Sequence, residues 1–351
     1  MIINKIALIK AGAIFVSLGL AFPGISMAQE KHTIKFGAWM PKSHVSNSVF
    51  LEEWKKDVEE RTEGRVEVDI IYSPIGKPAQ YLDLVRRGVL GATYGVHGYQ
   101  PGRFFLTQAA EMPFLANSSE VLSLAYWRTH QKVLAEHEEH KGVRLLSLFT
   151  HGPGVYFSRE DEPNSIDDFE GKKLRVGGGI ANEVAKNLGV VPLLAPSTAS
   201  YEMLSTGVID GLMFPADSVP VYNLDDILQY GTRLDGGFYN TSFYVAMNED
   251  VFDSLSEEDK EIISSLSGEY MARAIGRAWD SADAEGYKAM ESKGVKINFA
   301  SPELEEDLRE AMSKVEQEWI DKAEEKGIDG KLILDTLRDE IANAKAEINA
   351  E

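Results

Sequence analysis

The residue types able to do chemistry are present but mostly scattered. The seven histidines are His32, His44, His97, His130, His137, His140 and His151. His137 and His140 stand three apart, a spacing that can set two metal ligands on one helix face. They lie in AEHEEHKG, a strongly polar stretch that reads as solvated surface. No HExxH and no GxSxG occurs, and no serine sits in a nucleophile elbow. Carboxylates are too abundant for any pair of them to carry information. Cysteine is absent, which removes disulfides, thiolate metal sites, a thiol nucleophile and a lipid anchor on an N-terminal cysteine. The expectation is therefore no catalytic site, no metal and no cofactor.

Two features remain. Gly177-Gly178-Gly179 follows a strand and precedes a helix, where a phosphate can sit. A GxGxxG beginning at Gly177 needs glycine where Asn182 stands, so the run reads as a flexible strand-to-helix turn. Arg175 lies just before it, in KLRVGGG, near the carboxyl end of the strand. An arginine at a strand end that faces a cleft can grip a carboxylate with two parallel hydrogen bonds. By spacing alone, a surface arginine explains Arg175 equally well.

The elements that must position such a residue follow from periodicity. His32–Trp39, 66–72 and 89–94 read as strands, with helical spacing over 46–61 and 79–87 between them. The alternation then recurs: helix 121–135, strand 143–149, strand 172–176, helix 180–188, strand 190–194, helix 201–205, strand 208–214 and strand 243–247. Beyond Ser256 the chain reads as helical, over 257–292, 302–326 and 331–350. Strands alternating with helices imply largely parallel α/β sheets. Two successive α/β units imply two lobes, with a ligand where strand ends converge from both sides. Gly152-Pro153-Gly154 would be one crossing segment. The boundaries read as 29–152 plus about 242–285 for lobe I, and 153–241 plus about 286–351, with the C-terminal helices, for lobe II.

Compartment follows from the first residues. Lys5 and Lys10 precede an apolar run, Ala11–Phe22, too short to span a bilayer comfortably. Pro23 and Gly24 break it, and Ser26-Met27-Ala28 is a small-x-small cleavage site. Residues 1–28 read as a secretory signal peptide, giving a periplasmic protein without a lipid anchor. Their removal takes away two lysines and no acid, so the formal charge of −20 becomes −22. Such a surface excludes phosphate-backbone binding to nucleic acid and disfavours anionic lipid.

Three ordered stretches resemble the substrate-binding proteins of tripartite ATP-independent periplasmic (TRAP) transporters, the DctP-like family. They are SIDDFEGKKLRV at 165–176, LSTGVIDG at 204–211, and MNEDVF at 247–252 followed by Leu255-Ser256. The resemblance implies a two-lobed periplasmic binding protein fold, with hinge-linked α/β domains and a helical C-terminal region, and no enzymatic activity. It implies small and large integral membrane subunits as partners, a small carboxylate as ligand, and a monomer. It places the family's carboxylate-binding arginine on Arg175. Members that bind sialic acid carry a second arginine where Val155 stands here, and an asparagine at about Phe214. Valine and phenylalanine remove donors and add apolar surface. The expected ligand is therefore a less polar acid: aromatic, branched, or a short hydroxy or keto acid. Strand ends supply the other candidate contacts, Trp39, Tyr94, His97, His151, Tyr156, Phe214, Tyr239 and Asn240. A binding protein of an ATP-driven importer, a periplasmic ligand sensor and a secreted enzyme are the competing readings.

Overall fold

The structure, a computed structural model, describes residues 31–351; the expected signal peptide, residues 1–28, lies outside the described residues. In chain order the strands are β1 His32–Gly37, β2 Val66–Ile71, β3 Ala92–Val96, β4 Arg144–Thr150, β5 Val155–Ser158, β6 Lys173–Val176, β7 Val191–Leu194, β8 Gly211–Phe214, β9 Tyr230–Arg233, β10 Ser242–Met247 and β11 Lys296–Phe299. They form two sheets, ordered β2-β1-β3-β10-β4 and β11-β9-β5-β8-β6-β7. The helices used below are α1 Glu52–Arg61, α2 Ser119–Thr129, α3 Ile180–Asn187, α4 Gly268–Ser292, α5 Pro302–Glu325 and α6 Gly330–Ile348.

Hydrophobic pattern decides position in each sheet. β2 buries Val66 and Val68 and exposes Glu67, as an edge strand must. β10 (SFYVAM) is buried throughout and sits between two neighbours. The expected helix over 46–61 begins with a π-turn, Ser46–Leu51, before α1 carries Trp54 and Val58 into the core.

The sheets are largely parallel, as expected, but each is mixed through one antiparallel strand. β10 runs antiparallel to β3 and β4, and β5 runs antiparallel to β8 and β9. The reason is topological. β5 and β10 are the strands that follow a direct crossing from one sheet to the other, whereas the chain reaches β11 through helices that end in α4. Each starts at the cleft, where its neighbours end. The carboxyl ends of β1, β3, β4, β6, β8 and β9 consequently point at one seam. β5, β9 and β11 had no sequence signal, because each is four residues long and lies next to glycine-rich or polar turns.

The helices tie the sheets together. The expected segment 257–292 is broken at Gly268, whose φ is +61°, and α4 starts there. α4 packs on α2 and β4 of the first lobe, and on Ser218–Val221 and β11 of the second. α5 packs on α3 in the second lobe. α6 lies along α2 in the first, which corrects the assignment of the whole tail beyond 285 to lobe II. Its buried Ile333, Leu334 and Leu337 belong to the same apolar cluster as Leu122 and Ala125 of α2.

One contact joins α4 to α2 end-on. The first amides of a helix have no intrahelical acceptor. The Asp280 carboxylate accepts from Ser119 N at 2.6 Å, Glu120 N at 3.1 Å and Ser118 Oγ at 2.6 Å. Asp280→Ala is expected to lower stability by about 1–2 kcal/mol. Thermal unfolding should read a drop of roughly 2–4 °C, with Asp280→Asn falling between variant and wild type.

Candidate ligand-binding site

A cavity lies on the seam between the sheets, and Arg175 and Tyr239 are among the residues that line it. Arg175 is the third residue of β6 and only 3% exposed. Its Nε donates to Ala195 O at 2.9 Å, and its Nη2 donates to Tyr99 Oη at 3.2 Å. The guanidinium carbon sits 5.0 Å from the centre of the Phe214 ring, a cation–π distance. These contacts orient the guanidinium, and Nη1 makes no hydrogen bond to any described residue. Among the described residues no carboxylate pairs with Arg175.

Tyr99 reaches this arginine from the first lobe, on the 3-10 turn that ends β3. Its oxygen accepts from Ser197 N at 2.9 Å as well as from Arg175. Both partners are donors and cannot accept. The phenolic proton must therefore point elsewhere. The cavity offers the adjoining space: a Cβ built on Gly177 would lie 3.8 Å from Arg175 Nη2, 4.0 Å from Thr241 Oγ1 and 4.0 Å from the Tyr99 ring. Four groups from both lobes thus converge on one point.

Two further links cross the seam. His44, buried, accepts from Ser46 N at Nδ1 (3.2 Å), so Nε2 carries the proton. That nitrogen lies 3.4 Å from Ser218 Oγ and 3.5 Å from Asp217 Oδ2 on the second lobe. Burial holds the His44 pKa down at about 3, so it donates as a neutral ring. The other link is Glu111. Its Oε2 accepts from Ile180 N, at the start of α3, at 2.9 Å. Its Oε1 accepts from Ser242 Oγ at 2.6 Å and from Ser242 N at 3.1 Å. Ser242 Oγ in turn faces His97 Nδ1 at 3.0 Å, and His97 Nε2 faces His140 Nε2 at 2.8 Å. With the serine proton given to Glu111, the chain runs His140 to His97 to Ser242 to Glu111, one donor at each step. His140 is buried in this network, which corrects the solvated-surface reading of AEHEEHKG.

The lobes touch beside Glu111. A Cβ on Gly178 would stand 2.2 Å from Gly98 O, and one on Gly98 would stand 2.7 Å from Gly177 O. Gly178 and Gly179 also have φ of +84° and +59°. The glycine run read as a flexible turn is thus the place where two backbones meet.

Residues 36–323 match the family described as DctP, bacterial extracellular solute-binding protein, family 7. The chain belongs to that family. A TRAP periplasmic solute-binding protein of Bordetella bronchiseptica, solved with bound (R)- and (S)-mandelate, is similar to it at 40% identity and a TM-score of 0.86, over 89% of this chain and 99% of that one. A marine metagenome TRAP solute-binding protein specific for aromatic acid ligands, in complex with 3-hydroxybenzoate, is 31% identical with a TM-score of 0.85, over 90% of this chain and 99% of that one. The outer membrane transporter protein TsaT of Comamonas testosteroni is 28% identical over 323 residues, 92% of this chain and 95% of that protein. The TRAP solute-binding assignment and the two-lobed α/β fold expected from the sequence hold. The family consists of solute-binding proteins, not enzymes.

Of the residues expected at a family 7 ligand site, Arg175, Phe214, His151 and Tyr239 line the cavity. The others lie behind it. Trp39 donates from Nε1 to Tyr94 O at 2.9 Å and packs edge-on against Tyr99 at 5.7 Å, so it supports a lining residue. Tyr94 is core, donating to Asn47 Oδ1 at 2.8 Å. His97 belongs to the network above. Tyr156 packs edge-on against Phe169 at 4.9 Å inside the second lobe. Asn240 holds the two crossing segments together: with its side-chain amide oriented so that nitrogen faces both carbonyls, the assignment that satisfies them, it donates to His151 O at 2.9 Å and Gly152 O at 3.0 Å.

Sequence reasoning missed Met40, His44, Tyr99, Ser197, Ser218, Thr241, Phe243 and Trp279, all of which line the cavity. For Tyr99 a signal existed. Ending the third strand at Tyr94, when it runs to Val96, set the expected strand-end contacts one turn too early. Trp279 sits mid-helix in α4 with no local mark of function. Val155 and Phe214, the two departures from the sialic-acid pattern, are direct register partners between β5 and β8. Their apolar side chains therefore adjoin one another.

Tyr99→Phe removes one oxygen that joins both lobes at the arginine. The expected loss of ligand affinity is about tenfold, read by calorimetry, since a hydrogen bond to a charged group contributes roughly 1.5–3 kcal/mol. Glu111 gives a pH prediction. Burial outweighs its hydrogen bonds and raises its carboxyl from 4.5 to about 7. Because the folded pKa lies above the unfolded one, the folded state holds the proton more tightly. That stabilisation is complete below about 4.5 and is lost as pH rises through about 7. Wild type should therefore lose up to ~3 kcal/mol relative to Glu111→Gln between pH 5 and 8. Melting temperatures of the two proteins across that range check it, and a difference that moves the other way contradicts it.

Proposed function

We propose that the protein captures a small, weakly polar monocarboxylate, aromatic acids foremost, by pairing it with Arg175. It then delivers the acid from the periplasm to the membrane subunits of a TRAP transporter. One observation carries this reading: a buried guanidinium with no carboxylate partner among the described residues, in a cavity walled by aromatic rings. An unpaired buried charge is costly, and an anionic ligand offsets that cost. Phe214, Tyr239, Phe243 and Trp279 supply apolar faces for a flat ligand. Among the described residues Arg175 is the one lysine or arginine in the lining, so a second carboxylate would find no cation there. The mandelate-bound relative and the relative specific for aromatic acids support the same class.

Delivery rests on the two lobes closing over the ligand. The ligand shifts that equilibrium by its differential affinity for the open and closed forms. Tyr99 on one lobe and Arg175 on the other supply such a difference, because both contact the carboxylate position only when the lobes meet. Residues 1–28 direct the chain to the periplasm, where it acts as a monomer with no metal or cofactor.

Calorimetry of the purified protein against benzoate, mandelate, succinate and glucuronate tests the assignment. Benzoate or mandelate should bind at least tenfold tighter than succinate and glucuronate. Arg175→Ala should weaken binding by about 2–5 kcal/mol, roughly 30-fold to several-thousand-fold. Equal affinity in wild type and Arg175→Ala would move the site elsewhere.

A further inference from the structure

Beside Arg175 the cavity wall carries an unused acceptor and an unused donor. His151 Nδ1 faces the carbonyl of Gly152. A carbonyl only accepts, so Nδ1 holds the proton and Nε2 is a bare acceptor. That Nε2 is buried and has no hydrogen-bond partner, although His151 lines the cavity. The ring is fixed from behind by Tyr239, edge-on at 5.4 Å, and by the Asn240 amide on its backbone carbonyl at 2.9 Å. Trp279 also lines the cavity, its ring centre 5.9 Å from that of His151. Its Nε1–H is buried and unpartnered as well. The two side chains are 3% and 1% exposed.

Burial and the nearby Arg175 charge lower the His151 pKa to about 4, so the bare acceptor persists at neutral pH. Other buried polar atoms of the described residues also lack a partner, but these two belong to neighbouring side chains that line the cavity, where one ligand group can satisfy both. A hydroxyl does: its proton goes to His151 and its oxygen accepts from Trp279. A ketone can accept but not donate, and a methylene does neither. The position next to Arg175 sets the hydroxyl next to the carboxylate.

We infer that this site selects 2-hydroxy acids bearing an aromatic group, with His151 and Trp279 reading the 2-hydroxyl. The inference rests on the carboxylate reading of Arg175 and narrows it.

Calorimetry with mandelate, phenylacetate and phenylglyoxylate, which differ only at that carbon, tests it. Wild type should bind mandelate at least tenfold tighter than the other two, because a site built to hydrogen-bond a hydroxyl rejects analogues lacking it. In His151→Phe the mandelate-to-phenylacetate ratio should fall severalfold, and in the double variant His151→Phe/Trp279→Phe to about one, with circular dichroism confirming the fold. In Trp279→Phe the same ratio should shrink. Equal affinities for the three acids in wild type overturn the inference, whether or not the variants fold, and so does a preference left undiminished by His151→Phe. In either case Arg175-dependent binding of the acids leaves the broader reading standing. If none of the acids binds wild type, the aromatic-acid assignment fails and this inference with it.

Discussion

The geometry of this protein answers to one buried positive charge. Arg175 is 3% exposed, yet no described carboxylate neutralises it. Elsewhere in the chain, buried arginine is paired in the usual way: Arg65, 7% exposed, meets Asp259 at 2.8 Å. A guanidinium left without such a partner needs support from neutral groups, and Ala195 O, Tyr99 Oη and the Phe214 face provide it. None of them cancels the charge. They fix its direction without neutralising it.

That requirement explains why the seam is built from strand ends. A strand end can present a side chain at a rigid position, and six of them point at one place. The crossings that let β5 and β10 enter from the cleft also bring His151 and Thr241 beside the arginine. The links across the seam are neutral or shared rather than simple ion pairs. His44 donates as an uncharged imidazole, Tyr99 bridges two donors, and Glu111 accepts from a serine and a helix amide. Links of this kind would lose little if water replaced them, because no ion pair would be broken. They also specify register: the Ser46 amide sets the His44 tautomer, and Glu111 and Tyr99 each accept from a backbone amide of the other lobe.

The fold and the family were legible because they depend on pattern. Alternation of strands and helices, and ordered motifs such as SIDDFEGKKLRV, survive without knowledge of what they pack against. The same holds for Arg175, placed by its motif, and for Phe214, placed by its departure from one. Less legible were the residues whose role depends on a partner far away in sequence. Trp39, Tyr94 and Tyr156 are aromatic residues at or near strand ends like Tyr239, yet each turns into a core and only Tyr239 lines the cavity. His140 looked like surface because its neighbours in sequence are charged, but His97, 43 positions away, takes it inside.

By itself, then, the sequence determined the class of molecule, the two α/β units, the place of the arginine proposed to pair with the ligand, and the apolar character of Phe214 and Val155. These follow from residue type and local periodicity. The tertiary structure decided which aromatic residues face the cavity, that Tyr99 closes on Arg175 from the opposite lobe, and that His151 and Trp279 have hydrogen-bonding atoms to spare. Those properties depend on side-chain direction and on contacts between segments more than a hundred residues apart, such as His151 and Trp279. No local pattern encodes either, because a side chain's free valences are known only once every neighbour has taken its place.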